Sequence, residues 1–76
     1  MKNITVYGPG CKNCETTEAN IKQYAELNKL DISVTKETDL MAIMTAGVLT
    51  TPGVAVDGKI VHTGSVPTTD QIANFL

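Results

Sequence analysis

The placement of glycine and proline constrains this chain more than any other feature. Ile4, Thr5, Val6 and Tyr7 alternate in β-branched and aromatic types and read as a strand that stops at Gly8-Pro9-Gly10. From Lys12 to about Asn28 neither glycine nor proline occurs, and Cys14, Thr17, Ile21, Tyr24, Ala25 and Asn28 fall together at helical spacing. That pattern predicts a first helix of moderate amphipathicity. Asp31 to Thr35, with Ile32 and Val34 alternating, predicts a second strand. Thr38 or Asp39 is placed to cap a short helix through Leu40, Ile43 and Met44, which Gly47 ends as a left-handed C-terminal residue would. Val54-Ala55-Val56 and Ile60-Val61-His62 flank Asp57-Gly58-Lys59, a hairpin signal because both turn positions tolerate positive φ. After Pro67, Thr68 and Gln71 have the spacing of a capping box, and the apolar face of the last helix is Ile72, Phe75 and Leu76.

The order is therefore β-α-β-α-β-β-α, an α/β fold. The opening strand, helix and strand favour a parallel pair with a right-handed crossover, and the hairpin adds an antiparallel edge. A mixed four-stranded sheet with three helices follows, with Ile4, Val6, Ile21, Val34, Val54, Val56, Ile72 and Phe75 in one core. The 76 residues make one domain, 1–76, in which a chain this short buries only somewhat more than about 60% of its unfolded surface.

Composition narrows the function. Hydrophobic residues are 42% and charged residues 18% of the chain, a globular balance. The net charge is −2 and the lysines are scattered, whereas a nucleic-acid surface would cluster them. No apolar stretch approaches the roughly 20 residues of a membrane span. The first residues lack the apolar core of a signal peptide, so a cytoplasmic location is expected. The chain has two cysteines, too few for the disulfide framework of a small secreted domain, so the pair points to redox or metal chemistry.

Cys11-Lys12-Asn13-Cys14 lies where the first strand hands over to the first helix. Unsatisfied N–H groups and the positive end of the helix dipole stabilise an anion there, which favours a thiolate at Cys11. Cys11 sits at the loop edge, and Cys14 turns back over the first helical turn toward the body of the protein. Cys11 is thus the candidate attacking thiol and Cys14 the resolving one. Lys12 supports the thiolate and Glu15 opposes it. Two other readings stand beside this one. A soft-metal module, binding zinc or copper, would use the same thiols, but a tetrahedral site needs about four ligands. His62, the remaining candidate, lies in a predicted strand. Copper-chaperone domains also place C-x-x-C between a first strand and helix, but they follow the order β-α-β-β-α-β and often carry methionine where Pro9 stands. A pure interaction module would leave the thiols incidental. Met41 and Met44 share a helix face, which core packing explains more often than a metal site does. Tyr24 reads as a helix-face residue with its hydroxyl outward.

With these residues in view the sequence resembles the small thioredoxin-like, glutaredoxin-sized redox-active disulfide proteins of bacteria and archaea. The resemblance covers almost the whole chain. It rests on I-T-V-Y-G running into G-P-G-C-K-N-C, on A-G-V-L-T-T-P-G, on V-A-V-D-G-K-I-V and on Gly64-Ser65-Val66-Pro67. It implies a thioredoxin-like fold and thiol–disulfide exchange with protein disulfides, re-reduction by a flavoprotein of the thioredoxin-reductase kind, and no cofactor or resident metal. On its residues alone Pro52 reads as a proline opening a strand, since only about 5–6% of X–Pro bonds are cis. The resemblance implies instead a cis Thr51-Pro52 bond beside the cysteines, with the Thr51 backbone pairing to an extended substrate segment and Gly10 and Lys12 supporting the site. Thr5 stands where thioredoxins carry a buried acid, Tyr7 replaces a tryptophan, and Lys12-Asn13 replaces Gly-Pro. Glutaredoxins usually have a basic residue at the position of Gly8 and a Gly-Gly-x-Asp-like segment near Gly64. Neither is present, so glutathione is not expected as the dedicated partner.

Overall fold

The computed structural model describes residues 2–10 and 12–76. The elements are β1 (Lys2–Tyr7), α1 (Lys12–Leu27), β2 (Ile32–Glu37), α2 (Leu40–Thr45), β3 (Gly53–Val56), β4 (Lys59–Thr63) and α3 (Thr69–Phe75). They form one four-stranded sheet in the order β2-β1-β3-β4, with β1 parallel to β2 and antiparallel to β3. The element order and the mixed sheet match the expectation.

Each boundary has a local cause. α1 closes with Leu30 N–H donating to Ala25 O at 2.8 Å and Lys29 N–H to Glu26 O at 3.3 Å, a Schellman ending with Lys29 in the left-handed region at φ 54°. Asp39 caps α2, its carboxylate accepting from Met41 N–H at 3.0 Å. In the hairpin Asp57 and Gly58 both have positive φ, 52° and 86°, as a two-residue turn matched to strand twist requires. Asp57 also ties the turn to β1, since its side chain accepts from Asn3 N–H at 2.9 Å. The α3 capping box is complete, with Thr68 Oγ1 accepting from Gln71 N–H and Gln71 Oε1 accepting from Thr68 N–H.

One sheet face carries Ile4 and Val6 of β1 with Val54 of β3, and it packs on Ile21 of α1 and Ile72 of α3. All five are buried. The register puts Thr5 opposite Ala55 and Tyr7 opposite Gly53 on the other face. Val48, just after α2, lies over Gly53, so closely that a Cβ there would come within 2.7 Å of Val48 Cγ1.

Several expectations need correction. Val34, Val56 and Phe75 are half-buried and pack against the core from outside. Val34 lies on an edge strand, Val56 ends β3 before the turn, and Phe75 is in the last turn of α3. β2 runs on past Thr35 because Lys36 and Glu37 pair with Val6 and Tyr7. Asn28 is exposed, its amide donating to Tyr24 O at 2.9 Å. Met41 and Met44 are exposed and outside the core, since α2 turns only Ile43 inward. Among the described residues no helix is long and apolar enough to cross a membrane.

Because Ile21 is sealed between α1 and the sheet with no exposed surface, Ile21→Ala is expected to cost about 2–5 kcal/mol. Urea unfolding followed by circular dichroism measures this, and a cost below about 1 kcal/mol would contradict the packing described.

Candidate active site at the start of helix α1

Cys11 lies outside the described residues, so the site is built from what surrounds it. Gly10, immediately before it, has φ 94°, a conformation that a side chain disfavours, which gives a local reason for glycine there. α1 starts at Lys12. Its first N–H groups have no partners within the helix and face the chain that precedes them. Its early carbonyls are doubly used. Thr16 Oγ1 donates to Lys12 O at 3.0 Å and the buried Thr17 Oγ1 to Asn13 O at 2.8 Å, side-chain bonds back to the i−4 carbonyl that share these acceptors with the helix ladder.

Cys14 is in that turn and is fully buried. Its Sγ lies where a Cβ on Gly8 would be, and its own Cβ is 2.7 Å from that point. Gly8 is held in turn by β2, its N–H donating to Glu37 O at 2.9 Å. The absent side chain at position 8 is therefore the space that Cys14 occupies. Nothing in the sequence signalled this contact, in which Gly8 reads only as loop punctuation.

The second part of the site comes in with β3. Tyr7 pairs with Gly53, and the next residues along the two antiparallel chains are Gly8 and Pro52. The register thus brings Pro52 alongside the glycine that Cys14 packs on. The Thr51-Pro52 bond is cis, with Pro52 buried and Thr51 exposed. Pro52 O accepts from Gly64 N–H at 3.0 Å, which ties the segment to the end of β4. His62 turns its Nε2 to Ser65, 2.9 Å from the backbone oxygen.

Charges at the helix start are now placed. Lys36, at the end of β2, reaches from Nζ to within 4.0 Å of Glu15 Oε1. Lys36 is mostly covered and Glu15 mostly exposed, at 25% and 65%. Glu15 is thus paired with a cation from the sheet, while Lys12 stands exposed on α1. Thr5 is half-buried between Thr35 and Ala55, so the central strand carries a hydroxyl and no carboxylate at that position.

Residues 2–76 match the thioredoxin domain family. The chain belongs to that family. It is 33% identical over 76 residues to a thioredoxin of Methanothermobacter thermautotrophicus, covering all of this chain and 99% of the relative. It is 38% identical to a thioredoxin of Methanocaldococcus jannaschii, covering all of this chain and 87% of the relative. Membership supports thiol–disulfide oxidoreduction at the level of the family. Within this thioredoxin-family fold a cavity of about 150 Å³ between Lys2, Leu30, Asp31, Ile32 and Leu76 lies at the starts of β1 and β2. It shares no residue with the thiol segment, which sits at the opposite end of both strands.

Gly8→Ala is expected to destabilise the protein by about 1–3 kcal/mol, the range for forcing extra volume into a packed site. The cost should shrink in a Cys14→Ala background, where the sulfur is gone. A double-mutant cycle by chemical denaturation measures the difference, and additive effects would show that the two positions do not compete for space.

Proposed function

We propose that this chain reduces protein disulfides by thiol–disulfide exchange, with Cys11 attacking and Cys14 resolving. The observation that carries the division of roles is the complete burial of Cys14 against Gly8. A sulfur in that position is poorly placed to meet a substrate in solution and well placed to act on a bond formed next to it.

The exchange has two displacements. The Cys11 thiolate attacks one substrate sulfur, so that a Cys11–substrate disulfide forms and the other substrate sulfur leaves as a thiolate. Cys14 then gives up its proton and attacks the Cys11 sulfur. The Cys11–Cys14 disulfide forms and the second substrate thiolate departs. The substrate gains two electrons and the cysteine pair loses two. A dithiol donor, here a flavoprotein of the thioredoxin-reductase kind, reverses the loss.

Supporting roles follow from the surroundings. The N-terminus of α1 and Lys12 favour the thiolate at Cys11. Lys36 limits the opposing effect of Glu15. Gly10 lets the loop turn into the helix, and the exposed backbone at Thr51, next to the buried Pro52, offers an edge on which an extended substrate segment can pair.

Cys14→Ser is expected to accumulate a mixed disulfide with a protein substrate, whereas Cys11→Ser accumulates none. Intact mass spectrometry after incubation with oxidised insulin reads the adduct directly. Accumulation on Cys11→Ser would reverse the roles. Absence of adduct from both variants, together with tight zinc or copper(I) binding by the wild type, would replace exchange with metal binding through the same thiols.

A further inference from the structure

His62 makes a contact for which the two displacements of the exchange have no use. It lies on β4 opposite Val54, and residues directly opposite in an antiparallel pair share a sheet face. Val54 belongs to the face on which α1 and α3 pack, so the half-buried imidazole stands on the side where the chain leaves β4 for α3. Its Nε2 is 2.9 Å from Ser65 O and 3.2 Å from Ser65 Oγ. A carbonyl oxygen only accepts, so Nε2 carries a ring proton and donates it to Ser65 O. The side chain thereby closes the turn Thr63-Gly64-Ser65.

That turn bears on the segment beside the thiols. Gly64 N–H donates to Pro52 O at 3.0 Å, and Thr50 Oγ1 lies 3.2 Å from the point where a Cβ on Gly64 would stand. Residues 50–52 therefore meet the turn at two places. Gly64 has φ 91°, and glycine is the residue with the widest backbone freedom, so the direction of its N–H depends on what holds its two neighbours. Thr63 is held by its pairing with Gly53, and Ser65 by His62. From Pro52 the register continues to the thiols, since Gly53 pairs with Tyr7 and Pro52 comes alongside Gly8, on which Cys14 packs.

We propose that His62 is a positioning residue for the exchange site: its bond to Ser65 fixes the Gly64 N–H that holds Pro52 O, and with it the Thr51 backbone on which a protein substrate pairs. This rests on the exchange reading above. The ring acts through Gly64 and Pro52 and not by contact with the reacting sulfurs. A small disulfide has no chain to pair with the Thr51 backbone, so only a substrate with a flanking segment is sensitive to loss of the bond.

Two variants of the full chain test this. His62→Phe keeps a ring of similar size and removes the donor, whereas His62→Gln returns an N–H at about the reach of Nε2. Amide hydrogen exchange of Gly64, followed by NMR, reads the link to Pro52 without any substrate. It should quicken about three- to ten-fold in His62→Phe, the range that one hydrogen bond contributes, and return to near the wild-type rate in His62→Gln. Single-turnover reduction by the pre-reduced chain then compares insulin with the small aryl disulfide dithiobis-nitrobenzoate. His62→Phe should need about three- to ten-fold more insulin for half-maximal rate, by the same hydrogen-bond range, and reduce the small disulfide at the wild-type rate, with His62→Gln again near wild type. Unchanged Gly64 exchange or an unchanged half-saturating insulin concentration in His62→Phe overturns the positioning role. So does equal slowing of both substrates, or a His62→Gln variant that behaves as His62→Phe. A wild type that reduces neither substrate overturns the exchange reading instead, and the Gly64 exchange rates still decide whether His62 holds the turn.

Discussion

The structure hangs on β1. It is paired on both edges, parallel to β2 and antiparallel to β3, and its inward residues Ile4 and Val6 have no exposed surface. The two helices on that face reach the core through Ile21 and Ile72, both packed on this strand's cluster. Among the described residues there is no second core cluster to compensate if β1 is displaced. The same strand delivers Gly8 to Cys14 and Tyr7 to Gly53. Stability and site geometry therefore share one element, and a change that shifts β1 moves both.

That dependence explains why the site needs so few residues. The first turn of α1 is contacted by Thr16 and Thr17 from its own helix, by Gly8 from β1 and by Lys36 from β2. None of these is a large side chain pointing into a pocket. The Cys14 sulfur is positioned by the absence of a Cβ on Gly8, and one helix carboxylate is paired with a lysine from a neighbouring strand. Backbone proximity, more than side-chain bulk, shapes this end of the sheet.

Much of this was legible in the sequence where the signal is local. Asp57-Gly58 and the Thr68–Gln71 spacing each describe a few consecutive residues, and both behave as their chemistry demands. Cys14 is inward because a helix places it three residues on from the loop, which periodicity alone reports. What failed was information held by distant parts of the chain. The spacing of Met41 and Met44 puts them on one face but does not say which face of α2 meets the sheet. Val34 has an inward pattern, yet its strand is an edge with fewer neighbours. The extension of β2 to Glu37 depends on Tyr7, thirty residues earlier in register. The approach of Cys14 to Gly8 joins the first turn of α1 to the residue after β1, a tertiary contact that no run of residues reports.

The two halves of the reactive end also have different histories along the chain. The thiol segment follows β1 directly, so its helix needs only nearby sequence. Thr51 and Pro52 reach it through β3, whose pairing with β1 spans about fifty residues, from Ile4 to Val56 at its widest. Long-range pairing of this kind forms late, and during synthesis it cannot form until the later strand has emerged. For part of its life on the ribosome the chain therefore carries its cysteines without the Thr51-Pro52 segment that comes to lie alongside Gly8. A nascent chain in that state holds both thiols at the end of β1 before the strand that pairs with β1 on its other side is in place.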